Sequence, residues 1–131
     1  MRTTALVLLA SSFFLTNARS QPYQISTIAG TTRLLDGGLA TAAPLREPVA
    51  VALDASGNLY IADESGRILE ITTAKALYTL AGSLNTTGYV DGAGTAAQFN
   101  TPLGVTVDAQ GIVYVGDFYN NVIRKIVVKL Q

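Results

Sequence analysis

A pattern that occurs twice in register sets the strongest limit on what this chain can fold into. Thr27-Ile28-Ala29-Gly30 returns as Thr79-Leu80-Ala81-Gly82, and Asp36-Gly37-Gly38 returns as Asp91-Gly92-Ala93-Gly94. Pro48 returns as Pro102, and Val51-Ala52-Leu53-Asp54 as Val105-Thr106-Val107-Asp108, with Gly57 and Gly111 following. Leu59-Tyr60-Ile61-Ala62-Asp63 returns as Val113-Tyr114-Val115-Gly116-Asp117. The spacing is constant from Pro48 to Asp63, and one residue is added near Asn120. A fixed period of this length is the signature of a repeat architecture, in which each copy is one supersecondary unit stacked on the next.

Each copy reads as short strands. Val49 to Leu53 is a compact apolar run ended by Asp54-Ala55-Ser56-Gly57, where glycine can supply the positive φ of a tight hairpin. Asn58 to Ala62 follows, then Arg67 to Ile71 with half-exposed alternation, then Tyr78 to Ala81 ending at Gly82. The second copy repeats the pattern with Leu103 to Val107, Ile112 to Gly116 and Val122 to Val128. The Gly- and Ala-rich stretches Gly30 to Glu47 and Gly82 to Thr101 connect the units, with at most one helical turn at Ala40 to Ala43 and at Ala93 to Gln98. Tandem antiparallel meanders of four strands are propeller blades. The expected fold is therefore all-β: two four-stranded antiparallel blades of a partial β-propeller.

Residues 1–20 read as a signal peptide. Arg2 gives a small positive n-region, Ala5 to Leu15 an apolar h-region, and Ala18-Arg19-Ser20 small residues before a cleavage point at Gln21. The apolar run is short for a bilayer span, and no later stretch is long enough to be one. The expected product is a mature chain 21–131 with no membrane segment, holding two repeats at about 23–76 and 77–131, secreted or periplasmic.

The composition narrows the chemistry. Nine basic and nine acidic side chains give zero net charge, which argues against a nucleic-acid partner. There is no Cys, hence no disulfide, thiol nucleophile or thiolate metal site. There is no His, which removes the Ser-His-Asp triad, a His general base and imidazole-ligated zinc together. Asp36 and Asp91 each offer a glycine-rich loop only one carboxylate, far short of a calcium site, so turn chemistry is the expectation. Asp54 and Asp108 start tight turns and are expected to act there.

The string from Pro102 to Asp117, continued by Asn120-Asn121-Val122-Ile123-Arg124-Lys125-Ile126, closely resembles the NHL repeat, as does Pro48 to Ile71. Asp91 to Asn100 is similar to the long inter-blade loop of bacterial-style members. The resemblance implies a β-propeller, usually of about six blades. It also implies a choice between a binding module and a propeller enzyme, since related propellers include amidating lyases and lactonases. The lyases depend on His-ligated metal, which this chain cannot supply, and a lactonase-like site needs carboxylates converging from several blades. The expectation is a non-catalytic module that binds a protein, peptide or glycan, without a cofactor or metal; a fragment of a lactonase-like or lyase-like enzyme is the alternative.

The candidate rim residues are Asp63, Asp117, Phe118 and Tyr119. The repeated aspartates follow an inner strand at one propeller edge, where turn capping is the favoured role. Phe118 and Tyr119 stand where the first copy has Glu64 and Ser65, either exposed as a patch or folded onto the blade. Tyr60 and Tyr114 are expected in packing. An Asp-to-Arg contact between neighbouring strands is expected for Asp63 with Arg67 only, because the second copy has Asn121-Val122 at the matching place. Asn85-Thr86-Thr87 is a candidate glycosylation acceptor. The strand order leaves the first outer strand, Ile25 to Ala29, and the last three strands unmatched. Two outcomes are expected of that order: an aggregating fragment, or a homotrimer that closes a six-bladed ring.

Overall fold

The computed structural model describes residue 26, residues 38–42 and residues 44–127 of the chain. The signal-peptide expectation, the strand at Ile25 to Ala29 apart from Ser26, Asp36 and Gly37, and Val128 lie outside these residues. Seven strands form two antiparallel sheets. The first runs in the order β1 (Pro48–Leu53), β2 (Leu59–Asp63), β3 (Arg67–Ile71) and β4 (Leu77–Gly82); the second in the order β5 (Pro102–Val107), β6 (Ile112–Asp117) and β7 (Val122–Val127). The outer strand of the first sheet is the segment around Tyr78 to Ala81, and the second sheet has three strands among the described residues.

The repeat in sequence is a repeat in register. Ala50 pairs with Ala62 and Gly104 with Gly116, and each first strand carries an irregularity just after its proline. The β1–β2 and β5–β6 hairpins are each built by the equivalent aspartate of their repeat. One Asp54 oxygen accepts the Ser56 and Asn58 amides at 2.9 and 2.8 Å, and one Asp108 oxygen accepts the Gln110 and Ile112 amides at 2.9 Å each. Gly57 and Gly111 close these turns at φ +90° and +78°, a region that side-chain-bearing residues rarely adopt. The tyrosines contribute more than packing: the hydroxyls of Tyr60 and Tyr114 each donate to the other aspartate oxygen at 3.2 Å. Burial first, then the charges of Glu70 and Asp54, push the Tyr60 phenol up to about 12.

Side chains alternate across each sheet, so one face of the first blade meets one face of the second. Tyr60, Ala62 and Ile68 from the first sheet pack with Val113 and Val115 from the second, and Ala50, Ala52, Val105 and Val107 border them. Ala97 and Phe99 of the connecting segment fill the same core. On the opposite face of the first blade, Ala40 and Leu45 cover Ile61, Leu69 and Ile71. The connections carry 3-10 turns at Ala40–Ala42 and Gly94–Ala96, as short as anticipated. A third, Phe118–Asn120, takes up the added residue of the second copy.

Candidate functional site

The two repeated aspartates end β2 and β6 at the same edge and are fully buried. Asp63 accepts the Arg46 and Glu47 amides at 3.3 and 3.4 Å, the Ser65 amide at 3.1 Å, the Ser65 hydroxyl at 2.5 Å and the Arg67 guanidinium at 2.6 Å. Burial alone would raise its pKa, but the Ser65 hydroxyl, Arg67 and the Arg46 amide together bring the carboxyl below its ordinary value. Asp117 accepts the Asn100 amide at 2.7 Å, the Asn120 side-chain amide at 2.8 Å and Arg124 at 3.2 Å. Each aspartate thus ties the end of an incoming connection to the blade it enters, and neither carboxylate faces solvent.

The expectation that only Asp63 has an arginine partner is corrected by Arg124, which pairs with Asp117. Arg67 lies directly opposite Asp63 in the ladder, whereas Arg124 lies opposite Val115. Residues two apart on a strand share a face, so the longer reach along β6 restores the contact that Val122 cannot make. Arg124 does more than its counterpart. It donates to the Val90 and Gln98 carbonyls at 2.8 and 3.0 Å, pairs with Asp91, and lies 5.2 Å from the Tyr89 ring centroid and 5.1 Å from that of Phe99. Asp91, the loop carboxylate weighed as a calcium ligand, is therefore an arginine partner.

Phe118 and Tyr119 are 55% and 64% exposed, in edge-to-face contact at 5.0 Å. Their backbone amides donate to the Thr101 and Asn100 carbonyls at 3.2 and 3.1 Å, and Asn121 closes the turn in left-handed conformation. The pair is held by its backbone rather than by a ring-covering neighbour. Phe118 also walls a shallow hollow of about 520 Å³ together with Leu103 and Ile123, floored by Gly104 and Gly116. Asn85 is exposed with φ +57° in a turn, its amide bonded to the Ser65 carbonyl. Among the described residues no three His, Cys, Asp or Glu side chains gather as a metal site would require.

The NHL repeat model matches residues 99–126, and the strictosidine synthase-like N-terminal model matches residues 33–71. NHL repeat-containing protein 2 of Gallus gallus is 32% identical over 91 residues, which cover 67% of this chain and 12% of that protein. Two solved structures from Bacteroides thetaiotaomicron are also similar. One, a protein of unknown function, superposes with a TM-score of 0.66 at 25% identity, covering 74% of this chain and 26% of the other. The second, an auxiliary nutrient binding protein, gives 0.60 at 27% identity, covering 76% and 28%. The chain thus spans a minor part of each of these relatives. With an NHL repeat in its second blade and the same register in its first, the chain belongs to the NHL-repeat β-propeller family.

Proposed function

We propose that this chain is a non-catalytic binding module of an exported NHL-repeat propeller, and that it receives a protein, peptide or glycan at the Phe118–Tyr119 edge. The observation that carries the reading is the contrast at that edge. The two buried aspartates are taken up by backbone and arginine, while two aromatic rings stand exposed on a turn fixed by its own amides. Exposed rings give large contact area at small entropic cost, and the Tyr119 hydroxyl adds a polar handle. The absence of His and Cys from the sequence favours binding over catalysis. One relative of similar fold is, by its name, a nutrient binding protein. Export is read from residues 1–20 alone.

The test is retention on glycan and peptide arrays, comparing the chain with a Phe118→Ala/Tyr119→Ala variant. The expected result is loss of the retained probes in the variant with the thermal midpoint unchanged. Retention of the same probes by the variant would place binding elsewhere. Stoichiometric calcium or zinc in the purified chain would contradict the non-catalytic reading.

A further inference from the structure

The two blades carry the same turn at the same edge but finish it with different chemistry. In the first blade the turn after Asp63 is Glu64-Ser65, and the connection that meets it brings Arg46 and Glu47. In the second blade the matching turn is Phe118-Tyr119-Asn120-Asn121, and the connection that meets it brings Asn100 and Thr101. Neither Phe118 to Ile123 nor Ser83 to Val90 holds a charged side chain. The charges that border these segments in the chain, Asp91 and Arg124, pair with each other, and Arg124 also takes up the buried Asp117. Asn120 ties the two segments together, its side-chain amide donating at 2.8 Å both to the Gly88 carbonyl and to Asp117. Tyr89 follows the accepting residue and Tyr119 precedes the donating one. The clamp thus brings a third exposed ring, Tyr89 at 65%, to the Phe118–Tyr119 edge.

The second blade also fixes its turn more firmly than the first. Glu64 donates its amide to the Glu47 carbonyl at 2.9 Å, whereas Phe118 and Tyr119 both donate, to the successive carbonyls of Thr101 and Asn100. Thr101 reaches this arrangement in left-handed conformation, at φ +59°, although it is β-branched and precedes Pro102. Glu47, its counterpart before Pro48, has no positive φ. Backbone strain of this kind gathers at ligand clamps. Tyr89 is fixed differently, by the Arg124 guanidinium over its ring. A platform ordered in advance gives up little freedom when a ligand settles on it.

We propose that the ligand of this edge is an uncharged glycan, with sugar rings stacked on Tyr119 and Tyr89. The inference rests on the reading that the Phe118–Tyr119 edge binds, and it names what is bound. A pyranose offers an apolar face of C–H groups to an aromatic ring and a girdle of hydroxyls to neighbouring polar groups. The exposed Asn121 and Thr87 and the two tyrosine hydroxyls supply such groups. An acidic sugar or a charged peptide would find no free counter-ion on these two segments, and a neutral sugar needs none. Two separate rings suit an oligosaccharide, one sugar to each.

The experiment offers the whole chain three sets of probes: neutral oligosaccharides of glucose, mannose and xylose, oligosaccharides carrying carboxylate or sulfate, and proline-rich peptides. Affinities for retained probes are then read by calorimetry. Neutral oligosaccharides are expected to be retained, with an affinity indifferent to salt. Tyr89→Leu is expected to weaken that binding about tenfold, with Tyr89→Phe binding more tightly than Tyr89→Leu because it keeps the ring. Circular dichroism checks that both variants are folded. Acidic sugars or peptides as the retained probes, lost in Phe118→Ala/Tyr119→Ala, would overturn the glycan assignment and leave the edge as a binding site. Neutral sugars held equally by that double variant, or no probe held at all, would remove the edge and this inference with it. A folded Tyr89→Leu that binds like wild type would overturn the pairing of Tyr89 with Tyr119.

Discussion

Removing the repeated aspartates one at a time should give unequal losses, because their arginines are not equally dependent on them. In Asp63→Ala the Arg67 guanidinium loses its 2.6 Å partner and keeps only a 3.5 Å contact to the Pro44 carbonyl, while its Nε already has no partner. A charge left buried without its counter-ion costs about 3–5 kcal/mol. In Asp117→Ala, Arg124 keeps Asp91, the Val90 and Gln98 carbonyls and two aromatic faces. The loss there reduces to unsatisfied groups such as the Asn100 amide, since Asn120 still reaches the Gly88 carbonyl at 2.8 Å. That is worth about 1–3 kcal/mol. Urea denaturation of the two variants, followed by circular dichroism, should place Asp63→Ala about 2 kcal/mol below Asp117→Ala. Equal losses, or a larger loss for Asp117→Ala, would refute the reasoning.

Three further outcomes are expected. Gly57→Val and Gly111→Val should each cost about 1–3 kcal/mol through strain at positive φ, read as lowered thermal midpoints, whereas unchanged midpoints would mean the turns are built differently. Stability should fall as the pH drops below about 4, because Asp54, Asp63 and Asp108 are all held below their ordinary values and their contribution is lost as they protonate in the folded state. Glu70, raised by burial and then by Asp54, opposes this in part, so a denaturation midpoint that rises between pH 4 and 2 would contradict the assignment. At the alkaline end Tyr60 keeps its proton in the folded state, so stability should decline between about pH 10 and 12, with a late-titrating phenol visible in ultraviolet absorbance.

The strands were legible because the period-two pattern, the Asp-to-Gly turns and the in-register repeat all point the same way. Leu103 to Val107 and Ile112 to Gly116 fall within a residue of β5 and β6. Arg124 was not legible as an ion-pair partner, because its distance from Asp117 along the chain differs from that between Asp63 and Arg67. Only the shared sheet face brings it into reach. Nor could spacing reveal that Tyr60 and Tyr114 donate to the turn aspartates, since the contact depends on the hairpin folding the strand back over its own turn. Phe118 and Tyr119 stood out by type, but their exposure follows from the 3-10 turn that the extra residue creates. Which blade faces share a core became distinguishable only when the two sheets were seen to stack.

Native-state hydrogen exchange tests that stack most directly. Tyr60, Ala62 and Ile68 share one core with Val113 and Val115, so neither sheet buries the face it turns to the other on its own. The slowest amides of β2 and β3 and those of β6 should therefore open with one free energy and one denaturant dependence. Exchange from β6 at a distinctly lower free energy, while β2 and β3 remain protected, would show two independent sheets and contradict the shared inter-blade core.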